Sequence, residues 1–441
     1  MAGLTTIRVG LLGCGVVGSA LVELLAGRGD DIEARTGVRF QLGPVAVRSL
    51  DKARVAGLDP SQLTTDADEV VDDPDVDVVV ELMGGIEPAR TLVAKALAAG
   101  KPVITANKAL LASVGAELFA VADAAGVDLL FEAAVAGGIP FIRPLRESLA
   151  GEHIARVMGI LNGTTNYILT RMTEEGAEYA DALAEAQALG YAEADPTADV
   201  EGHDAAAKAA IIGTIAYGGQ IVLDDVAAEG ITGVTAGDIA QATKLGYVIK
   251  LLAIVESTPA GVAARVHPTL VPEQHPLAAV RESFNAVFVE GAAVGDLMFY
   301  GRGAGGGPTA SAVLGDLIDA AGNLVKGTHA TITTGEPATI VPLDELRCEF
   351  YLNLDLEDRP GALAAVAGAF AQHGVSIRAL EQLDTEPVGT AQTGEPALAD
   401  AARVLFLTHE AQEAGVRATL EELRRHPDVR SVNTVLRVLG G

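Results

Sequence analysis

Apolar residues dominate Ile7–Leu12, a run short enough for one buried strand, and Gly13-Cys14-Gly15-Val16-Val17-Gly18 follows at once. A helical spacing of apolar positions then continues to about Leu25. Further strand-like runs fall at Leu42–Val47, Asp77–Val80, Val103–Ile104 and Leu129–Phe131, with helical patterns at Pro88–Ala99 and Ala109–Ala125 between them. This alternation predicts an α/β fold built on a doubly wound parallel sheet. Past Arg156, Asn162-Gly163-Thr164-Thr165-Asn166 separates a strand-like run from a helix-like one, and Thr309–Ala321 reads as another helix. Near the C-terminus Phe350, Leu352, Leu354 and Leu356 alternate with polar residues, the mark of a half-buried strand. Asp358-Arg359-Pro360-Gly361 opens a helix that ends at Gly374. Strands at Val375–Ile377 and Arg403–Leu407, a helix at Ala411–Arg425 and a strand at Val429–Val438 complete a β-α-β-β-α-β module, with Thr385–Glu395 as an extended loop.

At 441 residues the chain is too long for one core and implies two to four domains. Its net charge of −28 argues against nucleic acid or an anionic membrane as a partner. Val9–Ala26 is apolar, but four glycines and Glu23 interrupt it and no basic leader frames it, so it reads neither as a membrane span nor as a signal peptide. Two cysteines point to a reducing compartment, and the expected location is the cytoplasm.

A strand, a GxGxxG turn and a helix in that order form a dinucleotide site. The first glycine permits the tight turn and the second lets backbone amides approach the pyrophosphate. The third lets the helix pack on the strand with its N-terminus facing the anion. The second strand ends at Arg48, followed by Asp51 and Lys52. A basic residue at that place favours NADP over NAD. In such sheets ligands lie beyond the carboxyl ends of the strands, where Glu81–Gly85, Thr105–Lys108 and Glu132–Gly138 fall.

Gly190–Lys208 holds five carboxylates, one histidine and one lysine and runs into an Ala/Ile-rich helix. Asp204 and Lys208, four apart, share a helix face. Such pairs are ordinarily solvated and contribute little. Here the apolar surroundings predict a half-enclosed carboxylate and ammonium able to grip a zwitterion. Phe299–Pro308 adds a second glycine-rich loop, a sign of close backbone approach. Thioester chemistry from an aldehyde would need a cysteine nucleophile, yet Cys14 sits in the glycine turn and Cys348 at a domain junction. The eight histidines lack zinc-ligand spacing. Direct hydride transfer assisted by lysine is the chemistry that remains.

Several irregular motifs in fixed order carry a family resemblance. They are the GxGxxG opening, Thr105–Ala109, Phe131–Pro140, Gly159–Asn166, Gly190–Pro196, Gly202–Lys208 and Gly301–Gly305. Over about residues 5–325 the chain resembles the homoserine dehydrogenases, and the C-terminal module, with Leu356-Glu357-Asp358-Arg359-Pro360-Gly361-Ala362-Leu363, resembles an ACT domain. The resemblance implies NAD(P)-dependent interconversion of L-homoserine and L-aspartate 4-semialdehyde in threonine, methionine and isoleucine biosynthesis. It further implies Lys208 as proton donor and acceptor, with Lys108 assisting beside the nicotinamide, and Glu193, Asp204, Asn162, Gly163 and Thr164 as the substrate site. Cofactor binding falls to Gly13, Gly15, Val16, Val17, Gly18, Arg48, Thr105, Lys108 and Gly303. A structural monovalent cation, sodium, is implied at the Glu132 side chain or carbonyl and the carbonyls of Val135, Gly137 and Ile139.

The implied organisation is a dinucleotide-binding domain at 1–136 with the helix 305–325, and a substrate-binding and dimerisation domain at 137–304. A linker at 326–346 then leads to a ferredoxin-like ACT domain at 347–441. A homodimer or homotetramer is expected, with L-threonine as feedback effector, or with the ACT module serving assembly alone. No kinase-like region precedes the dehydrogenase-like part, which reads as monofunctional. Two other readings stay open. A nucleotide-sensing regulator without activity would be expected to lack cleft lysines; the other is a different NAD(P)-dependent amino-acid or hydroxy-acid dehydrogenase, of which one acting on a simple hydroxy acid would call for an arginine clamp in place of Glu193 and Asp204.

Overall fold

A parallel six-stranded sheet organises the first third of the chain. The computed structural model describes residues 5–50, 58–330, 335–383 and 401–440. Its strands are β1 (Thr5–Leu12), β2 (Val38–Ala46), β3 (Leu63–Thr64), β4 (Val78–Glu81), β5 (Val103–Thr105) and β6 (Leu129–Leu130), in the order β3-β2-β1-β4-β5-β6. Helices α1 (Val16–Thr36), α2 (Ala67–Asp72), α3 (Ala89–Ala98) and α4 (Lys108–Ala125) connect them. The strands read as continuous apolar runs because helices cover both faces of such a sheet. Helix α1 runs well past Leu25, through Gly27 and Gly29, to a left-handed cap at Gly37. Two glycines weaken a helix by about 1 kcal/mol each relative to alanine. Burial of Ile32 and the ties from Arg39 on β2 to Asp30 and Glu33 favour its continuation.

The middle of the chain contributes β7 (Ile154–Ile160), then α5 (Gly163–Glu175), α6 (Tyr179–Ala188), α7 (Thr197–Val200) and α8 (His203–Tyr217). After the short β8 (Ala227–Ala228) come α9 (Ala236–Lys244), β9 (Tyr247–Thr258), β10 (Gly261–Pro272), β11 (Phe284–Gly291) and β12 (Gly295–Arg302). The chain then returns to the first sheet. Helix α10 (Gly306–Lys326) buries Ala310, Val313, Leu317 and Ala320 in one core with β1, β4 and α1.

The C-terminal module comprises β13 (Arg347–Glu357), α11 (Ala362–Gln372), β14 (Ile377–Leu383), β15 (Ala401–Thr408), β16 (Ala411–Gln412), α12 (Glu413–Leu423) and β17 (Val429–Val438). Its second strand is displaced from Val375–Ile377 to Ile377–Leu383, because Val375 is buried as the chain leaves α11. The expected loop Thr385–Glu395, like Asp51 and Lys52, lies outside the described residues. Strand β17 pairs in parallel with β10, Thr269 opposite Arg437 and Leu270 opposite Val438. The two sheets thereby merge into eleven strands, β12-β11-β7-β9-β10-β17-β13-β15-β14 on the main path. Among the described residues no helix is long and apolar enough to cross a membrane.

Candidate active site

The glycine turn has the geometry its spacing predicts. Gly13 has φ +98°, and a Cβ there would lie 2.8 Å from the Leu82 carbonyl oxygen. A Cβ on Gly18 would lie 2.5 Å from the Gly13 carbonyl oxygen, so the helix can pack on its own turn only with glycine there. Gly15 faces open space. Helix α1 starts at Val16 with no side-chain cap and no acidic residue in its first turn, which leaves its N-terminal amides and dipole available to an anion. Val16 is exposed and Val17 half-buried. A cleft of about 400 Å³ opens here, lined among others by Gly15, Val47, Arg48, Leu82 and Gly84. These residues fit a dinucleotide: a glycine cradle, free amides and one guanidinium. Thr105 stands one residue behind the cleft rim. Its hydroxyl donates to the buried Glu81 (2.7 Å), whose other oxygen accepts from the amides of Met83 and Gly84 at the cleft rim.

Asn107 caps α4 by accepting from Leu110 N, and its Nδ2 donates to Gly85 O (2.6 Å). Lys108 thus stands at the first turn of α4, at the carboxyl end of β5, and its ammonium pairs with Asp204 Oδ1. The other oxygen of Asp204 accepts from Lys208 Nζ (2.7 Å) and from Asn162 Nδ2 (2.9 Å). Lys208 also donates to the Leu161 carbonyl (2.6 Å). Asp204 and Lys208 are only 7% and 9% exposed, so the pair is enclosed as the Ala/Ile helix predicts. Burial would raise the Asp204 carboxyl pKa, but the Lys208 and Lys108 ammoniums outweigh it and hold the group well below the usual carboxylate range. The carboxylate is therefore ionised, a fixed negative charge between two ammoniums.

Asn162 caps α5 through Thr165 N (2.9 Å) and also donates to Asp199 Oδ1 (2.7 Å). Thr164 Oγ1 lies 2.7 Å from the Tyr191 carbonyl and 3.2 Å from Asp199 Oδ2. Asp199 is the residue the sequence reasoning missed. It lies in the same acidic segment, but nothing in its local spacing separates it from its neighbours. Gly163 packs against the Ser283 carbonyl, which a Cβ would approach to 2.8 Å. The Glu193 side chain is exposed, and its carbonyl accepts from Gln187 Nε2.

In the Glu132 loop both carboxylate oxygens are taken by backbone amides, Phe141 and Ile142 on one (2.6 and 2.7 Å) and Arg143 on the other (2.8 Å). Ala136 and Gly137 adopt φ of 57° and 54° in succession. A Cβ on Gly137 would fall 2.1 Å from the Gly303 carbonyl oxygen, so this loop and the second glycine-rich loop touch backbone to backbone. Among the described residues no hydrogen bond ends on the carbonyls of Val135, Gly137 or Ile139, although Val135 and Ile139 are buried. Carbonyl oxygens left free in a buried loop suit a hard cation.

The sequence profile for homoserine dehydrogenase matches residues 140–318, that for the homoserine dehydrogenase NAD-binding domain matches 13–132, and that for the ACT domain matches 350–428. The homoserine dehydrogenase of Corynebacterium glutamicum is 48% identical over 440 residues, 98% of this chain and 96% of its own. The crystal structure of a homoserine dehydrogenase from Thiobacillus denitrificans superposes with a TM-score of 0.91 at 41% identity, covering 100% of this chain and 99% of that one. A hyperthermophilic archaeal homoserine dehydrogenase mutant in complex with NADPH covers 72% of this chain and 98% of its own at 28% identity, with a TM-score of 0.61. The chain belongs to the homoserine dehydrogenase family, NAD(P)-dependent oxidoreductases that act on a CH–OH group.

Proposed function

We propose that this protein interconverts L-homoserine and L-aspartate 4-semialdehyde with Lys208 as the group that gives and takes the proton. One observation carries the reading: the buried Asp204 is clamped between the buried Lys208 and the more exposed Lys108 beyond the carboxyl end of β5. A nicotinamide dinucleotide held at the Gly13–Gly18 turn supplies or accepts the hydride, and Arg48 in the same cleft supports NADP as the preferred form. An ammonium has three N–H donors. Two of those on Lys208 go to Leu161 O and Asp204, which leaves one for the substrate oxygen. As the aldehyde carbon receives the hydride and becomes CH2–OH, Lys208 Nζ gives its proton to that oxygen and becomes a neutral amine. In the reverse direction it takes the proton from the hydroxyl. Asp204 stabilises the charged amine and, with Glu193, faces the substrate ammonium. Asn162, Gly163 and Thr164 frame the pocket, with Asp199 holding Asn162 and Thr164 in place.

The free carbonyls of Val135, Gly137 and Ile139 support a structural sodium ion, with Glu132 acting through its carbonyl because its carboxylate is already occupied. The merged sheet exposes Met298 and Tyr300 on β12 at one end and Leu380 on β14 at the other, which supports assembly of the chain into a homodimer or homotetramer. The ACT module supports feedback by L-threonine, and the biosynthetic role goes with a cytoplasmic location. The test is absorbance at the reduced-nicotinamide band with L-homoserine and NADP or NAD, with and without L-threonine. Reduction suppressed by L-threonine is the expected result. Absence of reduction with either nucleotide, in protein that still binds it, would overturn the catalytic reading. Turnover indifferent to L-threonine would assign the ACT module to assembly.

A further inference from the structure

Behind the substrate loop lies a buried ammonium that the chemistry does not use. Lys250, on β9, is 2% exposed, and among the described residues no carboxylate pairs with it. Its Nζ donates to Asn166 Oδ1 (3.0 Å) and to the Val280 carbonyl (2.5 Å). Asn166, 1% exposed, turns its Nδ2 to the carbonyls of Glu282 (2.8 Å), Phe284 (3.2 Å) and Val280 (3.4 Å). Thr170, one turn further along α5, accepts from Glu282 N (3.2 Å). Glu282 itself has φ +54°, a conformation that a non-glycine residue keeps only when its surroundings impose it. The segment Val280–Phe284 is thus strapped to α5 by one lysine, one asparagine and one threonine. The strap ends where the substrate loop begins, since the Ser283 carbonyl seats against Gly163.

We infer that Lys250 is a positioning residue for the substrate site: with Asn166 it fixes the first turn of α5 against Val280–Phe284 and so sets where Asn162 holds Asp204. This rests on the reading of Asp204 and Lys208 as the site. An ammonium buried without a counter-ion is costly, and an apolar side chain of similar length would remove that cost. A lysine held here against its own desolvation is accounted for by what its donors hold. Burial does push its pKa down, to about 8, with Arg281 adding to the fall and Glu174 opposing it. The chain of contacts is short: Lys250 to Asn166, one turn of α5 to Asn162, then Asp204.

The test compares wild type with Lys250→Met, Asn166→Ala and the double variant, in the homoserine assay and in NADPH binding by fluorescence. Lys250→Met is expected to raise the homoserine KM about 10- to 100-fold, the range in which small displacements of a site are felt. NADPH affinity and the unfolding midpoint should stay at or above wild-type values. The double variant should be no worse than Asn166→Ala alone, because both residues act through one strap. A Lys250→Met enzyme with wild-type KM and kcat would overturn the inference. So would a joint loss of stability and NADPH binding, which would mark Lys250 as structural only, or full additivity in the double variant. If the wild type itself does not turn over homoserine, the catalytic reading fails first, and the two failures are separated.

Discussion

Replacing Lys208 by methionine removes the proposed proton and little else. A well-placed proton donor contributes about 10²- to 10⁴-fold to rate, and kcat should fall by that factor. Breaking a buried ion pair costs about 3–5 kcal/mol when one charge is left uncompensated. Asp204 keeps Lys108 and Asn162, so only the contacts of one ammonium are lost, and the expected destabilisation is about 1–2 kcal/mol. The fold should survive, and so should nucleotide binding, which rests on the Gly13–Gly18 turn and not on Lys208. Lys208→Arg sharpens the case. It keeps the positive charge beside Asp204, but a guanidinium does not release its proton near neutral pH, so kcat should fall in this variant too. The assay is the initial rate of nicotinamide reduction over a homoserine series, with NADPH binding followed by fluorescence. A Lys208→Met enzyme with kcat within about threefold of wild type, well below the lower bound above, would refute the assignment. Lost nucleotide binding with unchanged turnover of bound substrate would refute it as well.

Arg48→Ala should raise the KM for NADP about tenfold and leave that for NAD unchanged, since only the 2′-phosphate loses a charged partner; equal effects on both nucleotides would argue against Arg48 as the discriminator. Glu193→Ala should act through the homoserine KM, by about tenfold, with kcat nearly intact, because its exposed side chain lies outside the buried Asp204–Lys208 pair; a collapse of kcat at saturating homoserine would give Glu193 a part in the chemistry itself. Lys250 also predicts a pH dependence of stability. Its folded pKa of about 8 lies below the unfolded value of about 10.4, so between them the unfolded chain holds the extra proton and stability rises with pH. Denaturant midpoints should show this rise from about pH 8 to 10 in wild type and lose it in Lys250→Met; parallel curves would contradict it.

The local parts of this protein are legible in the sequence. The Gly13–Gly18 turn is so because its closest contact, Gly18 on the Gly13 carbonyl, falls within one strand–turn–helix unit. The Asp204–Lys208 pair is so because a helix puts residues four apart on one face. The C-terminal β-α-β-β-α-β order follows from the period of its apolar positions. Element ends are less legible. Helix α1 passes the expected end near Leu25 and the two glycines beyond it, because tertiary burial of Ile32 and the ties to Arg39 outweigh the glycines' intrinsic cost.

What only the tertiary structure decides is which distant groups meet. Lys108 is a lysine at a helix start until α4 brings it to Asp204. Asp199 is one carboxylate in an acidic run until α7 turns it to Asn162 and Thr164. Glu132 looks like a cation ligand, yet the chain folds three amides onto its carboxylate and leaves carbonyls free instead. Lys250 sits unremarked in an apolar strand, and its part emerges only where β9, α5 and the Val280–Phe284 segment converge. The joining of two sheets through β10 and β17 is equally invisible, since backbone hydrogen bonds carry no side-chain signature. Periodicity encodes the face a residue presents, but partners across the fold are set by packing and by the need to satisfy every buried polar group.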